Sequence, residues 1–212
     1  MRVGLFGGSF NPIHIGHLRA AEEDREILGL DLVYFVPAAS PPHKMEGELA
    51  SAEHRLQMVR LATKGNRHFM VSDVEIRRIG RSYTVDTARF FRATLRQPAT
   101  LYLLMGADAF AELDTWKDSE ELMRLCNLAV HTRHTNGAGA SKDSRIAAAR
   151  QFGYTRNGNC YVHSSGQTLT FVDTTVLPIS ATLIRSKLRA GNSVRYLVPA
   201  DVCEYINRHF LY

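Results

Sequence analysis

An alternation constrains this chain most: short apolar runs, each long enough for one strand, are separated by longer segments with helical spacing. The runs at 3–6, 32–36, 69–74, 101–105 and 128–130 are almost unbroken by polar residues, as strands covered on both faces must be. Between them, 17–28, 51–64, 84–96 and 109–124 read as helices. In the first, Leu18, Ala21, Arg25 and Leu28 share a face and Gly29 stands where a C′ glycine belongs; in the second, Leu56, Val59 and Ala62 mark the apolar side. Strands and helices in this order predict an α/β fold, a mostly parallel, doubly wound sheet with right-handed crossovers.

The rest of the chain is less regular. The stretch from His134 to Asp143 holds Asn136-Gly137, Gly139 and Ser141 without apolar periodicity and reads as a loop. A helix from Ser144, a strand or hairpin within 160–172, and helices at 180–190 and 199–209 give the fold a helical C-terminal end, with Ser180 as N-cap and Pro199 as a first-turn proline. No repeat or linker divides the sequence, so one domain over 1–212 is expected.

Composition narrows the class. The 212 residues are 45% hydrophobic and 22% charged, and 26 Lys and Arg against 21 Asp and Glu give a formal charge of +5. These values fit a globular chain with a sizeable core, not a disordered or collagenous one. The positive charges are dispersed, with Arg77, Arg78 and Arg81 the densest group, which argues against nucleic acid as a partner. Cys126, Cys160 and Cys203 are too few and too scattered for a disulfide framework or a CxxC zinc pair. No apolar stretch approaches the ~20 residues of a membrane helix and the start lacks a signal core, so a cytoplasmic protein without membrane contact is expected.

The stretch Gly7-Gly8-Ser9-Phe10-Asn11-Pro12-Ile13-His14-Ile15-Gly16-His17 follows the first strand and opens the first helix. In an open parallel sheet that is the crevice where ligands bind. Gly7 and Gly8 let backbone N–H groups approach an anion, and a helix N-terminus adds unpaired donors and partial positive charge, so a phosphate is the natural guest. Neither the Walker pattern nor GxGxxG is present. His14 and His17, three apart across Gly16, can face one cavity and hydrogen-bond a phosphoryl group as its charge rises, either as imidazolium or as neutral N–H donors. No third ligand with telling spacing points to a metal.

This stretch resembles the HxGH signature of the nucleotidyltransferase superfamily. Pro37-Ala38-Ala39-Ser40-Pro41-Pro42-His43-Lys44, Ser82-Tyr83-Thr84-Val85-Asp86-Thr87, Gly106-Ala107-Asp108, Trp116-Lys117 and Ile179-Ser180-Ala181-Thr182-Leu183-Ile184-Arg185 are similar, in order and over the whole chain, to motifs of the bacterial nicotinate mononucleotide adenylyltransferases. The resemblance implies a Rossmann-like nucleotidyltransferase fold and transfer of AMP from ATP to nicotinate mononucleotide, giving deamido-NAD and pyrophosphate, with Mg2+ carried by ATP. It implies catalytic roles for His14, His17, Lys44 and Arg185. ATP would be bound by Gly7, Gly8, Ser9, Phe10, His14, His17, Gly106, Asp108, Ile179, Ser180, Thr182 and Arg185. Nicotinate mononucleotide would be bound by Ser9, Phe10, His43, Lys44, Tyr83, Thr84, Trp116 and Arg133, with Trp116 stacked on the pyridine ring and backbone N–H groups near Thr84 and Trp116 receiving its carboxylate.

Two departures stand out. Position 11 is Asn where the family often has Asp, and His131-Thr132-Arg133-His134 replaces an Arg-Pro-Gly ending. Alternatives at this stage are a different phosphate acceptor, such as nicotinamide mononucleotide or phosphopantetheine, and a non-catalytic nucleotide sensor. Oligomeric state is open, a homo-oligomer included.

Overall fold

The computed structural model describes residues 1–40, 49–96, 98–133, 142–158, 160–175 and 177–212. His43, Lys44 and most of the expected 134–143 loop lie outside the described residues. The strands are β1 (Arg2–Gly8), β2 (Leu32–Pro37), β3 (Phe69–Val71), β4 (Thr100–Gly106), β5 (Asn127–Arg133), β6 (Thr155–Asn157), β7 (Cys160–Val162) and β8 (Thr168–Thr174). They form one sheet in the order β3-β2-β1-β4-β5-β8-β7-β6. The order runs outward from β1 in both directions, the doubly wound arrangement expected from the alternation, with ligand sites at the carboxyl ends of the strands.

The chain divides into two compact units, Met1–Phe6, Ala21–Val33 and Tyr83–Val176 in the first, Gly7–Ala20, Tyr34–Ser82 and Leu177–Tyr212 in the second. In the first unit β1, β4, β5 and β8 pair in parallel, with Val3 opposite Leu101, Leu103 opposite Leu128 and Val130 opposite Phe171. Val3, Leu5, Leu101, Leu103, Leu128, Val130 and Leu169 are buried, which accounts for runs without polar alternation. β8, β7 and β6 continue as an antiparallel meander. The 160–172 hairpin is therefore present, and β6 extends it by a strand that its short, exposed Thr-Arg-Asn sequence does not announce.

The helix α1 (Ile15–Leu28) ends as expected, with Gly29 in the left-handed region at φ +59. Its C-terminal half buries two acids that the apolar pattern passes over. Glu23 accepts from the Thr175 N–H at 2.6 Å and from its hydroxyl at 2.5 Å. Asp24 is fully buried, 3.2 Å from His131 Nδ1. Burial raises the Asp24 pKa against the opposing bond and charge of His131.

The expected helix over 109–124 is broken. It resolves into α5 (Ala107–Ala111), a 3-10 turn at Leu113–Thr115 and α6 (Ser119–Leu125). Trp116 is extended and Asp118 is left-handed at φ 49. Phe110, Leu113, Leu122 and Met123 are all buried, but Leu113 and Leu122, nine residues apart, would face opposite sides of one continuous helix; the break between them lets both segments turn apolar residues to the core.

In the second unit, α2 (Ala52–Thr63) is capped by Ser51, whose hydroxyl accepts from the His54 N–H at 3.2 Å. β3 stops at Val71, short of the expected 74, because Asp73 stands at the N-cap of a short helix α3 (Val74–Arg77). Phe35 packs edge-on against Phe69 at 5.0 Å and, tilted, against Phe10 at 5.9 Å. The terminal helices α8 (Ala181–Arg189) and α9 (Ala200–Arg208) bury Ile184, Val202 and Ile206. Pro199 occupies the N-cap of α9, one position earlier than the first-turn site expected. Between α3 and α9, α4 (Thr84–Thr94) belongs to the first unit, as does α7 (Lys142–Gln151).

Candidate active site

The loop that leaves β1 carries the two histidines. Their rings stack with centroids 3.6 Å apart and planes 25° from parallel. Gly16 makes this arrangement possible: a Cβ there would lie 3.0 Å from His14 Nδ1 and 3.1 Å from its Cε1, closer than ordinary contact. The imidazole of His14 thus occupies the space that any other residue type between the histidines would fill. Phe10 and the His17 ring meet edge-on at 5.2 Å. Phe10 is buried and holds a left-handed φ of 45, a strained conformation for an aromatic residue.

A backbone contact settles the tautomer of His17. The His14 N–H donates to His17 Nδ1 at 3.2 Å, so Nδ1 is the acceptor and a neutral ring carries its proton on Nε2. Of the two protonation readings open in the sequence, the geometry favours His17 as a neutral Nε2–H donor.

The 179–185 motif meets this loop within the same unit. Ser180 caps α8, its hydroxyl accepting from the Leu183 N–H at 3.1 Å, so part of its capacity is spent on the helix. Arg185 donates to the Asn11 carbonyl at 2.9 Å and to the Thr182 hydroxyl at 3.3 Å, the shared face expected from their spacing. The carbonyl of Ile179 lies 3.8 Å from the position of a Gly16 Cβ. Gly7, Gly8, Ser9, Phe10, His14, His17, Ile179, Ser180, Thr182 and Arg185 are thus all in the second unit. Around Gly7 a Cβ would meet nothing within 4 Å, leaving its backbone open to close approach.

Asn11, noticed in the sequence only as a departure, proves to be a junction. It is buried, and its Oδ1 accepts from the Ala50 N–H at 3.0 Å and from the Tyr212 hydroxyl at 2.7 Å. Both donors suit a carboxylate as well as an amide oxygen, so an Asp at this position could accept the same two bonds.

The first unit holds the second group of expected residues: Tyr83, Thr84, Gly106, Asp108, Trp116 and Arg133. Tyr83 precedes α4 and Thr84 opens it. Asp108 is exposed in the first turn of α5, just past the end of β4. Arg133 ends β5, and its side chain lies outside the described residues. Trp116 is half-buried, and its N–H donates to the Leu113 carbonyl at 3.1 Å. That bond closes the 3-10 turn.

Ion pairs fix the turn around Trp116. Lys117 sits 4.7 Å over the Tyr83 ring and 3.2 Å from Asp86 Oδ2. Arg89 bonds Asp86 at 2.7 Å and Asp118 at 3.1 Å, and also pairs with Glu121. Desolvation pulls the Asp86 pKa up, but Lys117 and Arg89 outweigh it and leave the carboxyl below its ordinary value. Sequence reasoning missed Arg89, although its i,i+3 spacing from Asp86 was a usable sign.

A doubly wound α/β sheet, stacked HxGH histidines on the loop after its first strand and an arginine-bearing helix N-terminus on the same loop define a nucleotidyltransferase. Residues 5–187 match the cytidylyltransferase-like family model. A "Probable nicotinate-nucleotide adenylyltransferase" of Geobacter sp. (strain M21) is 43% identical over 214 residues, covering 100% of this chain and 98% of its own. One of the same name from Geobacter sulfurreducens is 42% identical with the same coverage. A solved structure, Plasmodium falciparum nicotinic acid mononucleotide adenylyltransferase complexed with NaAD, shares the fold with a TM-score of 0.75 at 17% identity, over 100% of this chain and 97% of that one. The chain belongs to the cytidylyltransferase-like family and, within it, to the nicotinate-nucleotide adenylyltransferases.

Proposed function

We propose that the protein joins ATP, as its Mg2+ complex, to nicotinate mononucleotide, and that residues 1–212 act as one nucleotidyltransferase domain. A phosphate oxygen of the mononucleotide attacks the α-phosphorus, a new P–O bond forms, and the bond to the β-phosphate oxygen breaks with release of pyrophosphate. The acceptor phosphate is already ionised near neutral pH, so no strong general base is needed. Catalysis then consists of alignment and charge neutralisation.

The observation that carries this reading is the stacked His14–His17 pair with its neutral Nε2–H donor on the loop after β1. His17 and His14 stabilise the α-phosphoryl oxygens as charge builds. Arg185, with Thr182 and the N-terminal backbone of α8 from Ile179 to Ser180, takes the β- and γ-phosphates, and Gly7, Gly8, Ser9 and Phe10 supply the phosphate loop. Lys44 and His43 bring further donors to the phosphates. Gly106 and Asp108 serve the ATP ribose, Asp108 accepting from its hydroxyls. Trp116 stacks on the pyridine ring, Tyr83 and Thr84 with the start of α4 hold its carboxylate, and Arg133 takes the acceptor phosphate.

Among the described residues no group of three or more His, Cys, Asp or Glu could hold a metal ion; the cation that neutralises the triphosphate is carried by ATP itself. No helix among the described residues is long and apolar enough to cross a membrane, and a cytoplasmic setting fits the scattered cysteines.

The test is pyrophosphate release from ATP with nicotinate mononucleotide, nicotinamide mononucleotide, phosphopantetheine or no acceptor. Release with the nicotinate acceptor far above the others supports the proposal. Equal release with another acceptor, or binding of ATP without release, refutes it.

A further inference from the structure

We infer that Arg55 is a positioning residue for adenylyl transfer: its buried guanidinium, bonded to the carbonyls of Ser9, Ala38, Ala39 and Ala50, holds the phosphate-binding loop in register with the end of β2 and the start of α2. Arg55 lies in α2 and is 1% exposed. Its Nε donates to Ala50 O at 2.9 Å, one terminal nitrogen to Ser9 O at 2.8 Å and to Ala38 O at 2.6 Å, and the other to Ala39 O at 3.0 Å. Four of the five donors of a guanidinium are therefore spent on backbone oxygens from three separate stretches of chain.

A charge this deep is costly to bury, and a fold that needed only filled volume at this position would use an apolar side chain. What the fork supplies instead is fixed geometry: planar, always protonated and with donors at set angles. The Ser9 carbonyl belongs to the glycine-rich loop that leads to His14. Ala38 follows β2, Ala39 comes next, and Ala50 precedes the cap of α2. One side chain thus ties the β1 loop to the end of β2 and to the start of α2. Asn11 adds a parallel tie through its bond from the Ala50 N–H. A buried positive charge beneath Ser9 also raises the potential felt by an anion at this loop.

The inference rests on the proposed adenylyl transfer. The experiment therefore begins with wild-type protein, ATP and nicotinate mononucleotide: if no pyrophosphate appears, the functional reading fails before Arg55 is tested. With activity in hand, Arg55→Lys, which keeps the charge but not the fork, and Arg55→Gln are compared by kcat, both KM values and hydrogen exchange of the full chain. Misplacement on the order of 1 Å costs about 10²-fold in rate. Arg55→Lys is expected to lower kcat about 10²-fold with smaller KM changes, and Arg55→Gln more. Amide exchange is expected to quicken only around Phe10, at Ala38 to Ser40 and at Ala50 and Ser51, leaving β4, β5 and β8 as in wild type. A kcat within about twofold of wild type in Arg55→Lys overturns the inference. So does faster exchange throughout, or a variant that does not fold, since either assigns Arg55 to general stability.

Discussion

Gly16→Ala separates stability from catalysis at one methyl group. The new Cβ would stand 3.0 Å from His14 Nδ1, so the imidazole must retreat about 0.4 Å to recover the 3.4 Å at which ordinary contact begins. It cannot do so alone, because the His17 ring stacks on it at 3.6 Å and Phe10 packs edge-on with that ring. The displacement passes to the proposed α-phosphoryl donor, whose useful range spans only about 2.7–3.1 Å. With about 10²-fold lost per ångström of misplacement, a shift of this size lowers kcat about tenfold, with smaller effects on both KM values. The backbone at 16 is not in the left-handed region, and Ala is the better helix former by about 1 kcal/mol. The crowding at His14 offsets that gain, so urea unfolding should find the variant within about 1 kcal/mol of wild type, while pyrophosphate release slows. A kcat within about twofold of wild type in a variant of unchanged stability would refute the claim that Gly16 exists to seat His14.

Trp116→Ala is expected to weaken nicotinate mononucleotide by about tenfold or more, in the range of an aromatic stacking contribution plus lost contact area, with little change for ATP; equal affinity for the mononucleotide removes the stacking role. Asp24 has a linkage sign that can be checked: its folded pKa lies above the ordinary 3.8, so its stabilising contribution is complete below that value and is lost as pH rises through the folded pKa. Unfolding free energy of wild type relative to Asp24→Asn should therefore fall as pH is raised from about 4, and a difference independent of pH contradicts the assignment. Cys126 is fully buried and its thiol is pushed up to about 12 by burial, whereas Cys160 and Cys203 are partly exposed. A thiol reagent should label the latter two in the folded protein and reach Cys126 only in denaturant; labelling of Cys126 under native conditions would count against the packing at the foot of β5.

What the sequence disclosed follows the kind of signal involved. Apolar runs located β1, β2, β4 and β5 within a residue or a few, Gly29 and Ser180 marked their helix ends, and the Thr182–Arg185 spacing foretold a real contact. These features are encoded locally, by periodicity or by caps. The break at Trp116–Asp118 carries no glycine or proline to mark it, and the left-handed Asp118 is held by Arg89 from a distant helix. Arg55 leaves no sign in the sequence, since the carbonyls it serves form no side-chain pattern. Buried Glu23 and Asp24 were illegible for the same reason: their partners, Thr175 and His131, are more than a hundred residues away. The HxGH motif located the histidines, but the preference for a neutral Nε2–H donor needed the backbone N–H of His14.

The central claim is that this histidine pair stabilises the transferring phosphoryl group, and single-turnover adenylyl transfer in His17→Ala tests it most directly. With enzyme in excess over ATP and saturating nicotinate mononucleotide, loss of one such donor should slow the chemical step by about 10²- to 10³-fold, with ATP binding changed far less. A variant that forms deamido-NAD and pyrophosphate at the wild-type single-turnover rate would contradict it.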